Sequence, residues 1–341
     1  MITLSRLKRS EIDAWEIMRS GLPLRARNSL AKAGIATIGE LRVCSDDRLL
    51  RMQAFGTKSL ADVKRFFRLS AQLEANEIHY LNLEDFLKRT LSSSVREAIE
   101  HRYGLRTTWT DPRGPRTTLQ SLGNKRHLTR ERIRQLQELG DHELRCMQGQ
   151  LLLAKIAEHF AARINMHKGV ADLATLARWH SPMTGSYTVL GTLWLLKDFN
   201  DRIHARHGFF TTASTDQLIR VESSVLDYLR NSDPPVESDR ILAALPVEER
   251  NLGRAFLAYH PEIGVMKREE YFLMREQAPL LLEHILRDAD APLHYRQITN
   301  AYNEITSARS LCRPGQIIRF LRKSSRAERL SLGTYRLRQG T

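Results

Sequence analysis

Two stretches near the beginning of the chain, LPLRARNSLAKAGI at residues 22–35 and FGTKSL at residues 55–60, are the most informative for the fold. In each stretch a glycine lies between two short segments whose apolar residues have helical spacing. This pattern predicts a helix, a tight turn and a second helix. We expect the apolar side chains of this region to form a small core: Leu22, Leu24, Leu30, Ile35, Ile38 and Leu41. The pattern therefore predicts a helix-hairpin-helix module.

The glycine of the second stretch is followed at once by groups that can hold a phosphate. Gly56 precedes Lys58 and Ser59, which begin the next predicted helix. A helix N-terminus offers free backbone N–H groups to an anion, the lysine adds positive charge, and the serine adds a hydroxyl. Because glycine lacks a side chain, the backbone can approach a ligand closely at this point. These residues predict a contact with a DNA backbone.

The two stretches, together with TIGEL at residues 37–41, resemble the C-terminal domain of the bacterial RNA polymerase alpha subunit in order and spacing. In that family, an arginine and an asparagine on one helix and the Gly-x-Lys-Ser turn bind the minor groove of A/T-rich DNA. The resemblance implies this role for Arg25, Asn28, Gly56, Lys58 and Ser59. Arginine is suited to a narrow A/T minor groove. The alternative is a hairpin that only docks proteins, with Arg25 as a solvated charge.

A second DNA-binding pattern is TRERIRQ at residues 129–135. A helix that ends at Gly104 and a short helix over residues 116–123 precede it, so the order predicts a helix-turn-helix. Thr129 is a good N-cap, and Ile133 and Leu136 are expected to face inward. The outer face then carries side chains that can bond to base edges: Arg130, Glu131, Arg134 and Gln135.

This segment, with YGL at residues 103–105, resembles domain 4 of primary sigma factors, which reads the promoter −35 element. The resemblance implies a contact set that begins at Thr129, with base contacts by Arg130, Glu131 and Gln135 and backbone or mixed contacts by Arg132 and Arg134. Two departures, a long loop over residues 106–115 and LQELGD at residues 136–141, put the family's polymerase-flap contact in doubt. The alternative is a packed helix with a charged solvent face.

The second half of the chain repeats one pattern three times, with predicted hairpins at residues 202–210, 262–273 and 329–337. A helical pattern precedes each hairpin, which gives the element order of a winged helix. One aromatic residue in each hairpin is expected to fill the core: Phe210, Phe272 and Tyr335. The third copy, which opens with PLHYRQI at residues 292–298, resembles the winged helix of the polymerase delta subunit.

This third copy is also the most basic, and it supplies further candidate DNA contacts at Arg319, Arg322 and Lys323. The first two copies are assigned to packing, dimerisation or spacing. The whole chain has 53 Lys and Arg residues against 39 Asp and Glu residues, a net charge of +14 that favours an anionic partner. We therefore expect nucleic acid as the partner before a membrane surface.

Several function classes are excluded by what the sequence lacks. The three cysteines are far apart and form no CxxC pair, so neither a disulfide framework nor a metal site is predicted. No apolar run is long enough for a membrane span, and charge follows the N-terminus too soon for a secretory signal. No P-loop, dinucleotide turn, nucleophile elbow or zinc-protease helix is present. We expect a cytoplasmic, nucleoid-associated protein that is not an enzyme and needs no cofactor.

Together, these patterns predict a mainly α fold of tandem helix-hairpin-helix, helix-turn-helix and winged-helix modules with short β wings. The predicted module boundaries are residues 1–72, 73–150, 151–213, 214–276 and 277–341. The predicted function is a sequence-specific, DNA-binding transcription regulator of bacterial or phage origin, which reads a −35-like major groove beside an A/T-rich minor groove. Double-stranded DNA is the expected partner, with RNA polymerase and a second copy of the chain as further candidates. The alternatives are an adaptor that binds RNA polymerase and the DNA-sensing subunit of a mobile-element or phage-defence system.

Overall fold

Short helices joined by tight turns form most of the structure, a computed structural model that describes residues 2–3, 7–75, 77–109, 111, 114, 115 and 117–338. The described part is mainly α-helical with small antiparallel sheets, as the sequence predicts. By compactness the chain forms two units. The first contains residues up to 167 and residues 171–212, and the second contains residues 168–170 and 213–341. The finer division into five modules stays a prediction.

The first unit begins with a group of mostly short helices. They follow one two-residue strand: β1 (Ile2–Thr3), α1 (Arg9–Asp13), α2 (Leu24–Lys32), α3 (Ile38–Arg42), α4 (Asp46–Leu50) and α5 (Thr57–Glu74). Thr37 and Ser45 start α3 and α4, because each side-chain oxygen accepts a hydrogen bond from a backbone N–H of the first turn.

The small core predicted for this region is present, with one exception. Leu22, Leu30, Ile35, Ile38 and Leu41 are all at most 3% exposed. The prediction for Leu24 was wrong, since this side chain is 58% exposed. It is the first residue of α2, one position before Arg25, and it lines a surface cleft.

The helix-turn-helix predicted for the next segment is present in the backbone. The segment contains these elements: β2 (His79–Tyr80), α6 (Leu83–Thr90), α7 (Ser93–Tyr103), α8 (Leu119–Arg126) and α9 (Arg130–Arg145). Helix α7 ends at Gly104, which has a left-handed conformation with φ of 59°. Helix α8 begins three residues later than predicted, after its N-cap Thr118, and extends to Arg126. Arg116, the first residue of the predicted helix, lies outside the described residues.

The rest of the chain repeats one element order three times, as predicted. The first copy completes the first unit, and the other two belong to the second unit. The elements of the first copy are α10 (Met147–Met166), β3 (Val170–Asp172), α11 (Leu173–Ala177), α12 (Val189–Phe199), β4 (His204–Arg206) and β5 (Phe209–Thr211). Those of the second are α13 (Thr215–Arg230), β6 (Val236–Glu237), α14 (Ser238–Ala243), α15 (Arg250–Tyr259), β7 (Ile263–Val265) and β8 (Glu270–Leu273). Those of the third are α16 (Ala278–Arg287), β9 (Leu293–His294), α17 (Tyr295–Ile305), α18 (Pro314–Lys323), β10 (Ala327–Ser331) and β11 (Thr334–Leu337).

The sheet of each copy has the same strand order. The last strand of the copy lies between the other two, which gives β3-β5-β4, β6-β8-β7 and β10-β11-β9. The predicted aromatic plugs are buried, with exposed fractions of 1% for Phe210, 0% for Phe272 and 5% for Tyr335. They therefore fill cores and are not available for base stacking. No helix in the described ranges combines the length and the apolar character that a membrane span requires.

Candidate nucleic-acid interface

The first candidate surface lies where α2 faces the loop before α5. Arg25, Asn28 and Lys32 lie on α2, at spacings of three and four residues that place them on one helix face. Together with Gln53 and Ala54 of the loop they line a cleft of about 350 Å³. Lys32 and the loop residues are additions to the predicted set. The spacing of Lys32 from Arg25 and Asn28 is the signal that could have identified it.

Helix α2 holds this loop by two hydrogen bonds to backbone carbonyls. Arg25 Nε donates to the oxygen of Ala54 at 3.1 Å, and Ser29 Oγ donates to the oxygen of Gln53 at 2.5 Å. Ala54 has a left-handed backbone with φ of 61°, which turns the chain toward α5. The Nη groups of Arg25 make no further hydrogen bond to the part of the chain that the structure describes. Arg25 therefore both shapes the cleft and presents donors to it.

The N-terminus of α5 completes this surface. Gly56 is the N-cap of an 18-residue helix, and no side chain caps the first turn. A Cβ atom built on Gly56 would meet no atom within 4 Å, so this backbone faces open space. Lys58 is exposed, whereas Ser59 is only 6% exposed. The geometry thus favours backbone N–H groups and Lys58 as the anion-binding groups, with little access to the Ser59 hydroxyl.

Residues 7–68 match the C-terminal domain of the bacterial RNA polymerase alpha chain. This alpha-CTD segment, as we call residues 7–68, contains the cleft, Gly56 and Lys58. The match is compatible with DNA binding related to transcription, and it supports the resemblance found in the sequence. No curated protein and no solved structure matches the chain.

A second candidate surface is the N-terminal half of α9. Thr129 caps the helix, with its Oγ1 accepting a hydrogen bond from the backbone N–H of Arg132 at 3.1 Å. Ile133 and Leu136 are buried at 1% and 5% exposure, as predicted. The polar residues between and before them are exposed: Arg130, Glu131, Arg132, Arg134 and Gln135.

Most of the polar side chains on this face are bonded to one another. Arg134 forms ion pairs with both Glu131 and Glu138, and Gln135 Nε2 donates to Glu131 Oε1 at 3.3 Å. The hydrogen bond from Arg134 lowers the pKa of Glu131, which stays ionised as an acceptor. Arg130 forms neither an ion pair nor a side-chain hydrogen bond with any residue that the structure describes, whereas Arg132 donates to Gln135 Oε1 at 3.3 Å. Arg130 is therefore the cation of this face that is most readily available to a new partner.

The three repeats differ in how much of their third helix is exposed. Most of the residues of α12 are buried, whereas half of those of α15 are buried and Arg254 is exposed. In α18, by contrast, Ile317, Phe320 and Leu321 are buried, while the basic residues lie on the opposite, more open face: Arg319, Arg322 and Lys323. This helix contains no acidic residue. The third copy therefore carries a basic helix face with three exposed cations, whereas α12 mainly fills the core of the first copy.

The structure brings two of the three candidate surfaces into one compact unit. The alpha-CTD segment and α9 both belong to the first unit, and α18 belongs to the second. Within the first unit, one continuous cluster of buried apolar residues extends from Ile2 to Phe210. The predicted sites of the first unit are therefore parts of one body, a relation that the separate sequence motifs did not indicate.

Proposed function

We propose that this protein is a DNA-binding regulator of transcription that acts by binding and not by catalysis. The observation that carries the proposal is the exposed cleft of the alpha-CTD segment beside the uncapped N-terminus of α5. Arginine, asparagine and lysine side chains line this cleft together with Ala54, two residues before the helix end at Gly56, which can bind a phosphate. The A/T-rich minor groove is the DNA feature that such a surface fits best, because its negative potential attracts arginine.

The N-terminal half of α9 supplies sequence reading in the major groove under this proposal. Its exposed arginine, glutamate and glutamine side chains can bond to guanine, cytosine and adenine edges. The resemblance to domain 4 of primary sigma factors gives a −35-like element as the target. The basic face of α18 supplies phosphate contacts that add affinity without reading sequence.

Substitutions on α9 and α18 should therefore have different effects on DNA binding. We expect Arg130→Ala and Gln135→Ala each to lower discrimination at one base position by about 1–3 kcal/mol. Arg322→Ala should instead weaken binding to all sequences alike and reduce the salt slope by about 1. Binding titrations at several salt concentrations, on duplexes enriched from a random pool by the unmodified protein, measure both effects.

Arg178→Ala is the matched control, because Arg178 is exposed and its Nε bonds only to the carbonyl of Ala174 among described residues. It should change neither specificity nor the salt slope. Unchanged base preference in both the Arg130 and the Gln135 variants would show that α9 does not read DNA.

Substitution of Gly56 should separate folding from DNA binding. Serine is a better N-cap than alanine and can bond to the first-turn N–H groups of α5, so Gly56→Ser should not lower the stability of the protein. The same change occupies the open space over the helix end and engages N–H groups that a phosphate would use. We expect affinity for an A/T-rich duplex to fall roughly tenfold, a loss of about 1.4 kcal/mol.

Gly56→Ala is the companion variant, since it adds the Cβ atom without a new capping group. It should weaken DNA binding as well, and it should lack the capping benefit of serine in thermal unfolding. If both variants bind the duplex as tightly as the original protein, the backbone at residue 56 does not contact DNA.

A second candidate function is an adaptor that binds RNA polymerase. The observation that favours it is the mixed charge of α9, where Arg134 is paired with Glu131 and Glu138. Such a face suits a protein partner with complementary charges as well as it suits DNA. Retention of purified RNA polymerase on the immobilised protein after nuclease treatment, and its loss in Arg134→Ala, would support the adaptor. Retention only when DNA is present would support the regulator.

A further inference from the structure

We infer that the cleft of the alpha-CTD segment and the exposed face of α9 are held at a fixed distance and orientation, so that the protein recognises a two-part DNA site of invariant spacing. This inference rests on the proposed function, since it assumes that both surfaces bind DNA. Separate modules on flexible linkers would bind two-part DNA sites with many different spacings between the parts. Modules held in one rigid body would bind sites with a single spacing. The two surfaces are connected by a contact region that we call the Gly21–Cys146 joint, after the residues at its centre.

Backbone contact at this joint is unusually close. Gly21 has φ of 82°, and a Cβ atom built on it would lie 2.5 Å from the Cβ atom of Cys146. Cys146 is the residue at which α9 ends and α10 begins. The turn before α2 therefore packs directly against the C-terminal end of α9. Arg130 lies at the N-terminal end of the same helix.

Polar groups from both sides also meet at the joint. The imidazole of His142 lies beside the backbone of Leu22, and burial together with the charge of Arg27 lowers the pKa of His142. Glu143 is largely withdrawn from solvent and lies in the field of Arg65 and Arg27 from the alpha-CTD segment. Arg27 Nη1 in turn donates to the oxygen of Met18 at 2.5 Å. The contacts of His142 and Glu143 restrict the rotation of α9 as well as its position.

Apolar packing continues across the same boundary. Leu22 and Leu73 of the first helices are buried in one cluster with Leu144 and Met147, at 0–2% exposure. Close-packed side chains of this kind resist bending. An open cleft of about 500 Å³, lined by residues that include Arg65, Glu143 and Met147, lies beside them at the same boundary. In addition, β1 pairs with β2 in register, with Ile2 opposite Tyr80.

The joint also limits how far apart the two surfaces can be. Arg130 and His142 are twelve residues apart on α9, which is about 18 Å along a helix. Arg25 follows Leu22 by three residues, so its backbone lies within about 10 Å of the joint. The two surfaces are thus at most about 35 Å apart, which is no more than one turn of B-DNA at about 34–36 Å. Two half-sites within one turn of the duplex fit this limit.

Selection of DNA by the full-length chain tests this inference. A pool of duplexes with a random stretch of about 40 base pairs, long enough for two half-sites one turn apart, is enriched by repeated binding. We expect two enriched blocks, one A/T-rich, at a single spacing. Insertion of about 5 base pairs between them rotates one block by half a turn. This insertion should weaken binding roughly 10- to 100-fold, as expected when one set of base contacts is lost.

Variants assign each block to its surface. Enrichment with Arg25→Ala should lose the A/T-rich block and retain the other, and Arg130→Ala should do the reverse. The control Arg178→Ala should retain both blocks and their spacing.

The possible failures are distinguishable. Two blocks at variable spacing, or a single block, would overturn the fixed geometry while DNA binding stands. Absence of any enrichment would overturn the proposed function itself.

Discussion

Replacement of Arg106 by alanine is expected to lower the free energy of unfolding by about 1–3 kcal/mol, less than for a fully buried ion pair, because the Arg106 side chain is 46% exposed. Arg106 Nε donates to Glu100 Oε2 at 2.9 Å, and its Nη2 donates to Glu84 Oε1 at 3.3 Å. The side chains of these glutamates are only 12% and 13% exposed. Alanine would remove the cation that these two poorly exposed carboxylates share and would leave Glu84 paired with Lys88 and Glu100 paired with Arg96.

The pH dependence of this effect has a defined sign. Burial raises the pKa of Glu84, but hydrogen bonds from Ser186, Lys88 and Arg106 outweigh it and lower the pKa to about 2. The ordinary value is 4.5, so the ionised form stabilises the folded state above pH 4.5, and this contribution is lost as the pH falls toward 2. The Arg106→Ala variant loses part of this contribution. The difference in stability between the two proteins should therefore be largest at neutral pH and should narrow below pH 4.5.

Arg134→Ala is the matched control for this experiment. Arg134 also lies between two glutamates and is about as exposed as Arg106, at 48% against 46%, but its partners Glu131 and Glu138 are both 58% exposed. Solvent screens such pairs, and their removal should change stability little. Urea unfolding of the three proteins at several pH values makes the comparison. Equal losses of unfolding free energy for Arg106→Ala and Arg134→Ala would show that the low exposure of Glu84 and Glu100 does not increase the contribution of their network to stability.

The local parts of this fold could be predicted from the sequence because they depend on neighbouring residues. Gly104 was expected to end α7, and Thr129 was expected to cap α9; both predictions are confirmed. The hairpins of the three repeats were identified from short alternating patterns, and their aromatic residues are buried as predicted. In each case a turn, a cap or a strand alternation carries its own signal.

The relations between modules could not be predicted in this way. Arg106 bonds to Ser186 Oγ at 3.1 Å, although the two residues are 80 positions apart, and nothing in either local sequence indicates the contact. The burial of Ser59 and the exposure of Leu24 also depend on how α2 and α5 pack, and not on residue type. The sequence therefore identified the candidate binding residues more easily than the tertiary contacts that hold these residues in one unit.

Gly21→Ala is expected to lower the free energy of unfolding by about 2–4 kcal/mol, from two separate causes. The first is the left-handed φ of 82°, which a residue with a Cβ atom adopts only with strain. The second is the overlap of the new methyl group with Cys146 Cβ at 2.5 Å. Gly34→Ala separates the two causes, because Gly34 has a similar φ of 79° and a Cβ atom placed on it would meet no atom within 4 Å. This control should therefore cost only about 1–2 kcal/mol of backbone strain.

A double-mutant cycle with Cys146→Gly isolates the contact at the joint. Removal of the cysteine side chain makes space for the methyl group of Gly21→Ala, so the double variant should lose less stability than the sum of the two single variants. Urea unfolding of the four proteins of the cycle gives the coupling. Additive losses would mean that Gly21 and Cys146 do not pack on each other. The joint would then not be the element that sets the spacing between the two DNA-binding surfaces. A contact that holds two surfaces at a fixed distance should show a coupling free energy between its residues.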